Sequence, residues 1–159
     1  MSETVTQLGK YAEEMGTKVT SLRKNENLVE VPQDHLKKFI AHLVNELHVR
    51  HLMTITGLDL GPNIAITYDF CQERDTIHVR TTVPKTKPVA VSIVDIVPGA
   101  ILYEMEVHDM FGAEFIGNPW KDQKLLLPEE WPDDLPPPLL KTTKAEQIRK
   151  RLGLEVVKR

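Results

Sequence analysis

The amino-acid sequence predicts an α+β fold, in which an antiparallel sheet packs with helices and an extended proline-rich C-terminal arm follows. Three observations support this prediction. Apolar residues recur at helical spacing in residues 4–15 and 32–47, and they alternate with polar residues between 51 and 83. Six of the eleven prolines then lie in residues 112–140. Proline removes backbone donors, so this last segment is not expected to form regular structure.

Helix and strand signals alternate in the N-terminal part of the chain. Residues 4–15 carry apolar side chains on one helical face (Val5, Leu8, Ala12 and Met15), and Gly16 is a plausible stop. Residues 19–31 predict two short strands around a polar turn at 24–27. Pro32 then opens the clearest helix, because its apolar residues fall on one stripe: Leu36, Phe39, Ile40, Leu43 and Leu47.

In the middle of the chain, the pattern of apolar and polar residues has a period of two. It predicts strands at 52–60, 63–70 and 76–83, and the short links between them favour an antiparallel meander backed by helices. Next come a short helical run at 91–97 and a helix at about 99–111.

The arm at 112–140 lacks any periodic pattern, and we expect neither helix nor sheet in it. It is nevertheless rich in large apolar residues: Phe115, Trp120, Leu125, Leu126, Leu127, Trp131, Leu139 and Leu140. That composition is too apolar for a solvated linker. We therefore expect the arm to lie along its own domain or along another protein.

The remaining residues predict a final helix at 143–152, with Thr143 and Glu146 spaced as a capping box. The expected organisation is a compact domain at 1–111, the arm, and a short basic helix and tail at 141–159.

Charge is distributed unevenly, although the formal net charge is only −3. Basic and acidic residues number 11 and 11 in residues 1–90, 2 and 10 in residues 91–140, and 7 and 2 in residues 141–159. Such asymmetry more often marks interaction surfaces than catalytic pockets. A nucleic-acid partner is not expected, because that would require a clustered basic face.

The single cysteine, Cys71, limits the chemistry that the chain can hold. It cannot form a disulfide within the chain, which favours a reducing, intracellular compartment. Iron–sulfur clusters normally need four thiolates, so no cluster is expected in this chain. A metal site is not predicted, since His48 and His51, taken with Asp59 or Cys71, lack a second ligand pair. No signal peptide or membrane-spanning segment is expected either.

The densest polar cluster lies on the predicted helix at 99–111. At 100° per residue, Glu106 and Asp109 are about 60° apart on one side, and Glu104 and His108 are about 40° apart on another. The helix is otherwise apolar, so some of these charges are expected near a buried surface with basic partners. Ion pairs and backbone hydrogen bonds that fix a helix or interface are the favoured interpretation. The alternative is an acid–base site of a free-standing hydrolase or isomerase.

A longer pattern begins at the same cluster. It consists of Glu104-Met-Glu106-Val-His-Asp109-Met-Phe111-Gly112, then Phe115-Ile-Gly117-Asn-Pro119, then Leu125-Leu-Leu-Pro128-Glu-Glu-Trp131. This string resembles the signature of the 30-kDa subunit, also called the C subunit, of NADH:quinone oxidoreductase. The same family includes small subunits of energy-converting membrane-bound [NiFe] hydrogenases and related membrane-bound reductases. The short length and the run at 136–138 look closer to this second branch.

The resemblance implies an accessory subunit without a cofactor, in the peripheral arm of a membrane-bound oxidoreductase complex on the cytoplasmic face of the membrane. It would dock on the catalytic large subunit and the iron–sulfur small subunit, contact the membrane subunits only indirectly, and support electron transfer coupled to ion translocation. The [4Fe-4S] clusters, and a [NiFe] centre in the hydrogenase branch, would lie in those partners. The expected interface or structural residues are Glu104, Glu106, Asp109, Phe111, Gly112, Phe115, Gly117, Pro119, Trp120, Leu126, Pro128 and Trp131. Two alternatives stay open: the acid–base enzyme using Glu106, His108 and Asp109, and an adaptor whose proline-rich arm binds unrelated partners without redox context.

Overall fold

The structure is a computed structural model that describes residues 2–132 and 134–154. Residues 155–159, the end of the predicted basic tail, lie outside the described residues. Among the helices it describes, none is both long and apolar enough to cross a lipid bilayer. The elements are, in chain order, α1 (Glu3–Glu14), β1 (Val19–Arg23), β2 (Glu26–Glu30), α2 (Gln33–Asn45), β3 (His51–Asp59), β4 (Asn63–Gln72), β5 (Asp75–Pro84), β6 (Val89–Val91), α3 (Ala100–Phe111), β7 (Glu114–Ile116) and α4 (Ala145–Arg151).

The α+β class is confirmed, and the main sheet has five strands in the order β1-β2-β5-β4-β3. Strands β3, β4 and β5 form the expected antiparallel meander. The prediction of a wholly antiparallel sheet is wrong, because β2 runs parallel to β5, with Leu28 opposite His78. Two strands that are distant in sequence meet here after the chain has crossed over through α2. The period of a strand does not encode which strand becomes its neighbour.

The hydrophobic core lies between one face of this sheet and the helices. Strand β4 supplies Ile64, Ile66, Tyr68 and Phe70, and α2 supplies the predicted stripe, from which Leu36, Phe39, Ile40 and Leu43 are fully buried. Helix α1 adds Leu8 and Ala12. Full burial stabilises each large aliphatic or aromatic side chain by about 1.5–3 kcal/mol. The helix faces predicted from spacing are therefore the faces that hold the domain together.

The opposite face of the sheet is polar, as the alternation predicts. Asp69 and His78 are cross-strand neighbours on β4 and β5, with Asp69 Oδ1 2.6 Å from His78 Nδ1. Both side chains remain partly accessible. Adjacent residues in a strand point to opposite faces of the sheet, so the residues next to Asp69 and His78 in each strand point into the core.

Two local predictions around α3 are wrong. The expected helical run at 91–97 is the end of β6 followed by a turn at 94–96. The predicted arm contains β7, which pairs in parallel with β6 through Ala90 and Phe115. No proline lies between residues 112 and 118, so the backbone donors needed for this short ladder are present.

The final helix is confirmed at Ala145–Arg151, but its predicted capping box is wrong. The Lys144 N–H donates to Gln147 Oε1 at 3.0 Å, so the helix begins one residue after Lys144. The Thr143 hydroxyl donates instead to the carbonyl oxygen of Pro137 at 2.8 Å. The Thr143 side chain stabilises the preceding proline run and not the helix.

Candidate functional site

Helix α3 occupies a central position because it contacts the sheet with one face and the chain that follows it with another. The Phe111 ring packs directly over Gly57 of β3, where a Cβ atom would clash with the ring. Only glycine permits this close approach of helix and strand. The helix ends at Gly112, whose φ of 75° is in the left-handed region.

Glu104 is fully buried on α3 and joins two loops to it. Its Oε1 accepts a hydrogen bond from the Ile93 N–H at 2.8 Å, and its Oε2 accepts one from Asn118 Nδ2 at 2.9 Å. The same Nδ2 donates to the carbonyl oxygen of Ile101 at 3.2 Å. Burial raises the pKa of Glu104, an effect that these hydrogen bonds partly oppose.

Asp109 is the second buried carboxylate of α3. Its Oδ2 accepts three consecutive backbone N–H groups, from Leu125 at 2.9 Å, Leu126 at 2.7 Å and Leu127 at 3.1 Å. Successive amides that converge on one oxygen form an anion-binding concavity, here filled by a side chain of the same protein. The expectation of basic partners for the buried carboxylates is wrong, because their hydrogen bonds come from backbone amides and one asparagine. Asp109 Oδ1 is buried and has no hydrogen-bond partner among the described residues. The expectation of backbone hydrogen bonds is confirmed.

The members of the acid–base alternative are spread over different environments. Glu106 is exposed, whereas Asp109 is buried under residues 125–127. His108 Nδ1 lies 3.1 Å from the carbonyl oxygen of Ala113, which can only accept, so this nitrogen is the donor. The hydrogen bonds recorded for the described residues do not link these three side chains. The arrangement orients backbone segments; the three groups do not converge on a common reacting atom.

Asp59, which was considered as a metal ligand, binds other groups. Over residues 2–132 and 134–154, no group of three or more His, Cys, Asp or Glu side chains could hold a metal ion. Asp59 is buried and binds Lys85 Nζ at 2.5 Å, the Gly61 N–H at 2.8 Å and the Lys141 N–H at 2.8 Å. These hydrogen bonds, that from Lys85 most of all, lower the pKa of Asp59 to about 2. Asp59 therefore ties the C-terminal residues to the sheet.

Residues 118–127 follow α3 along its length. Asn118 is fixed near Ile101, and Leu125 near Asp109, so the two attachments are separated by eight helical residues, or about 12 Å. By helical geometry Leu102 is about 20° from Asp109 around the helix axis. Leu102 therefore lies on the same side of α3 as Asp109, which holds residues 125–127.

A surface of exposed apolar side chains results from this arrangement. We call it the apolar face, and it comprises Leu102 of α3 together with Trp120, Leu125 and Leu126 of the attached segment. Leu126 is 56% exposed and Trp120 is 43% exposed. The segment that carries Trp120, Leu125 and Leu126 is held to α3 by the hydrogen bonds of Asn118 to Glu104 and of residues 125–127 to Asp109. Large exposed apolar side chains grouped on one fixed segment are typical of protein–protein interaction sites.

The twelve predicted interface or structural residues fall into three groups. Four are buried: Glu104, Asp109, Phe111 and Phe115. Two are half-buried, Gly112 and Trp131, and six are exposed: Glu106, Gly117, Pro119, Trp120, Leu126 and Pro128. Trp131 Nε1 donates to the carbonyl oxygen of Leu135 at 3.2 Å, so its polar end is engaged within the chain.

Sequence reasoning missed two anchoring residues, Asn118 and Asp59. Asn118 binds through both ends of its amide, since its Oδ1 also accepts the Trp120 N–H at 2.9 Å. The spacing Asp59-x-Gly61 is the signal that could have revealed Asp59, because aspartate commonly accepts the N–H two residues later in a turn. Neither residue's place in the sequence predicts its distant partners.

The amino-acid sequence of this chain matches a known protein family. The family model for the 30 Kd subunit of the respiratory-chain NADH dehydrogenase matches residues 29–149, most of the chain. The chain belongs to this family. The resemblance drawn from residues 104–131 is thereby confirmed. The family is described as the 30 Kd subunit of the respiratory-chain NADH dehydrogenase.

Curated relatives carry related names. The chain is 33% identical over 107 residues to the C/D subunit of the NADH-quinone oxidoreductase of Phocaeicola vulgatus, a match covering 65% of this chain and 20% of that protein. It is 38% identical over 81 residues to formate hydrogenlyase subunit 5 of Escherichia coli, covering 49% and 14%. It is 34% identical over 91 residues to the C subunit of the NADH-quinone oxidoreductase of Roseiflexus castenholzii, covering 54% and 52%. The chain spans at most about half the length of these relatives.

Two solved structures share the fold. A chain of the membrane-bound sulfane sulfur reductase, an archaeal respiratory membrane complex, has a TM-score of 0.82 and 24% identity, with 99% of this chain and 92% of that chain covered. The trypsin-resistant fragment of Nqo5 has a TM-score of 0.64 and 24% identity, with 73% of this chain and 98% of that chain covered. At this identity the likeness demonstrates a common fold.

Proposed function

We propose that this 30 Kd family member is a cofactor-free accessory subunit of the peripheral arm of a membrane-bound oxidoreductase complex, either an energy-converting hydrogenase or an NADH:quinone oxidoreductase-like assembly. It docks on the catalytic large subunit and holds it in register with the iron–sulfur small subunit, on the cytoplasmic side. This role supports electron transfer coupled to ion translocation, because both processes require fixed distances between subunits. The apolar face supported by Glu104 and Asp109 is the observation that carries the proposal.

The apolar face suits docking because it is ordered before a partner arrives. An extended segment that became ordered on binding would lose conformational entropy and weaken association. Here the hydrogen bonds from Asn118 to Glu104 and from residues 125–127 to Asp109 already fix the segment. Trp120 supplies the kind of large aromatic anchor that often contributes most of the binding energy at an interface.

The names of the relatives support a permanent neighbour. The chain matches 20% of a C/D subunit and 14% of formate hydrogenlyase subunit 5, so in those proteins the matched region continues into further polypeptide. A domain that is covalently joined to its neighbour in some relatives is a natural candidate for tight docking in others.

The proposed division of labour follows from the side chains present. Four thiolates normally hold an iron–sulfur cluster, and this chain has one cysteine. We therefore assign the [4Fe-4S] clusters, and a [NiFe] centre in the hydrogenase branch, to partner subunits. We also propose that residues 117–140 form an extended arm. This arm would wrap around the large subunit.

Affinity purification from solubilised membranes tests the function. A tag on this chain is expected to recover a cysteine-rich subunit and membrane subunits, and Leu126→Asp is expected to lower their recovery at least tenfold. Leu22→Asp is the matched control, because Leu22 is 50% exposed but lies on β1 at the far edge of the sheet. Recovery of the wild-type chain alone would overturn the proposal, as would full partner recovery with Leu126→Asp.

A further inference from the structure

We infer that the partner subunit places a basic side chain, by preference an arginine, opposite Glu106 beside the apolar face. This inference rests on the proposed docking function and specifies the chemistry of the surface that docks. It concerns one exposed carboxylate that nothing in the described chain neutralises.

Glu106 lies on the outward side of α3. It is one turn after Leu102 and, by helical geometry, about 60° from Asp109 around the helix axis. Its side chain is exposed, while Met105 and Val107 on either side are buried. The carboxylate therefore projects at the edge of the apolar face, where a docked partner would cover it.

Neither lysine of residues 91–140 is paired with Glu106. Lys121 Nζ lies 3.3 Å from Glu114 Oε1 and 3.8 Å from Asp122 Oδ1. Lys124 Nζ donates to the carbonyl oxygens of Glu129 at 3.2 Å and Trp131 at 3.3 Å. Within the part of the chain that the structure describes, the ion pairs found do not include Glu106.

Docking over the apolar face would remove water from this carboxylate. A charge that is buried without a partner costs several kcal/mol, so a stable interface needs a compensating cation. The surrounding segment is poor in cations, because residues 91–140 contain two basic residues, neither of them paired with Glu106, against ten acidic ones. Arginine is favoured over lysine, because its planar guanidinium matches a carboxylate with two parallel hydrogen bonds and is less strongly hydrated.

The test compares charge variants of the tagged chain within the whole complex. Glu106→Lys is expected to reduce recovery of the partner subunits at least tenfold, and Glu106→Gln about threefold. Glu13→Lys makes the same charge change at an exposed position of α1 and is expected to leave recovery unchanged. Recovery with the wild-type chain should decline as salt rises, and this decline should be shallower with Glu106→Gln because the screened pair is lost. Unchanged melting of the free variants would confirm that folding is intact.

A second measurement identifies the cation. A photoreactive maleimide on Leu102→Cys, in a Cys71→Ser background, is expected to cross-link a partner peptide that contains arginine or lysine. Replacing that arginine or lysine of the partner with glutamate should raise the recovery of partner subunits by the Glu106→Lys chain at least fivefold. If Glu106→Lys binds like wild type while Leu126→Asp releases the partners, the inference fails and the docking function stands. If both variants retain the partners, the docking function itself fails.

Discussion

The attachment of residues 125–127 to Asp109 makes a quantitative prediction. Asp109→Ala removes three hydrogen bonds from consecutive amides to one carboxylate oxygen. Each hydrogen bond contributes about 1 kcal/mol net, because water takes the place of part of the lost interaction. The three together stabilise the segment by about 3 kcal/mol, equivalent to a change of about 100-fold in its opening equilibrium.

Native-state hydrogen exchange measures this change directly. The amides of residues 125–127 are expected to exchange about 100-fold faster in Asp109→Ala than in the wild-type chain, whereas amides of β4 should be unchanged. Asp109→Asn keeps an uncharged acceptor oxygen and should give an intermediate acceleration. Glu106→Ala serves as the control, because Glu106 lies on the same helix and its side chain makes no hydrogen bond with the described residues.

Equal exchange at residues 125–127 in Asp109→Ala and wild type would refute this reasoning. It would mean that apolar packing of Leu127 and Trp131, and not the carboxylate, holds the segment. A global acceleration that included β4 would also contradict it, because the loss would then be a loss of the whole fold. Only a local effect is consistent with an anchor beneath the apolar face.

Three further outcomes follow from the buried contacts. Hydrogen bonds from Lys85, and then from the Gly61 and Lys141 amides, lower the pKa of Asp59 from 3.8 to about 2. The stabilisation is therefore fully present above pH 3.8 and is lost as the pH falls toward 2. Asp59→Asn should lower the melting temperature at neutral pH and flatten the dependence of the melting temperature on pH in that acid range. Burial raises the pKa of Glu104 above its ordinary value of 4.5, so ionisation of this side chain opposes folding. The stability of the fold therefore falls as the pH rises from 4.5. Glu104→Gln should remove this fall in thermal melts. Gly57→Ala should reduce the free energy of unfolding in urea by about 1–3 kcal/mol, because its methyl group would displace the Phe111 ring.

Much of the domain could be predicted from the sequence because burial is periodic. The stripe on α2 and the alternation along β4 repeat at fixed spacing, and each repeat is enforced by the same core. The positions of Glu104 and Asp109 on α3 were predictable for the same reason, as was their involvement in backbone hydrogen bonds. Local spacing determines which way a side chain points.

The partners of those side chains could not be predicted, for a physical reason. A carboxylate that binds backbone amides selects no residue type, so Asp109 leaves no signature at residues 125–127. The parallel pairing of β2 with β5 likewise depends on long-range packing through α2, and strand periodicity is indifferent to it. Asn118 is an ordinary turn residue in the sequence, and only the fold brings it to Glu104.

The bond between Asp59 and the Lys141 amide also has a consequence for biosynthesis. The two residues are 82 positions apart, so at roughly 5–20 residues per second they leave the ribosome about 4–16 seconds apart. Lys85 follows Asp59 by only 26 positions and arrives after about 1–5 seconds. The nascent sheet can therefore neutralise its aspartate early, while the residues that later cover α3 are still being made.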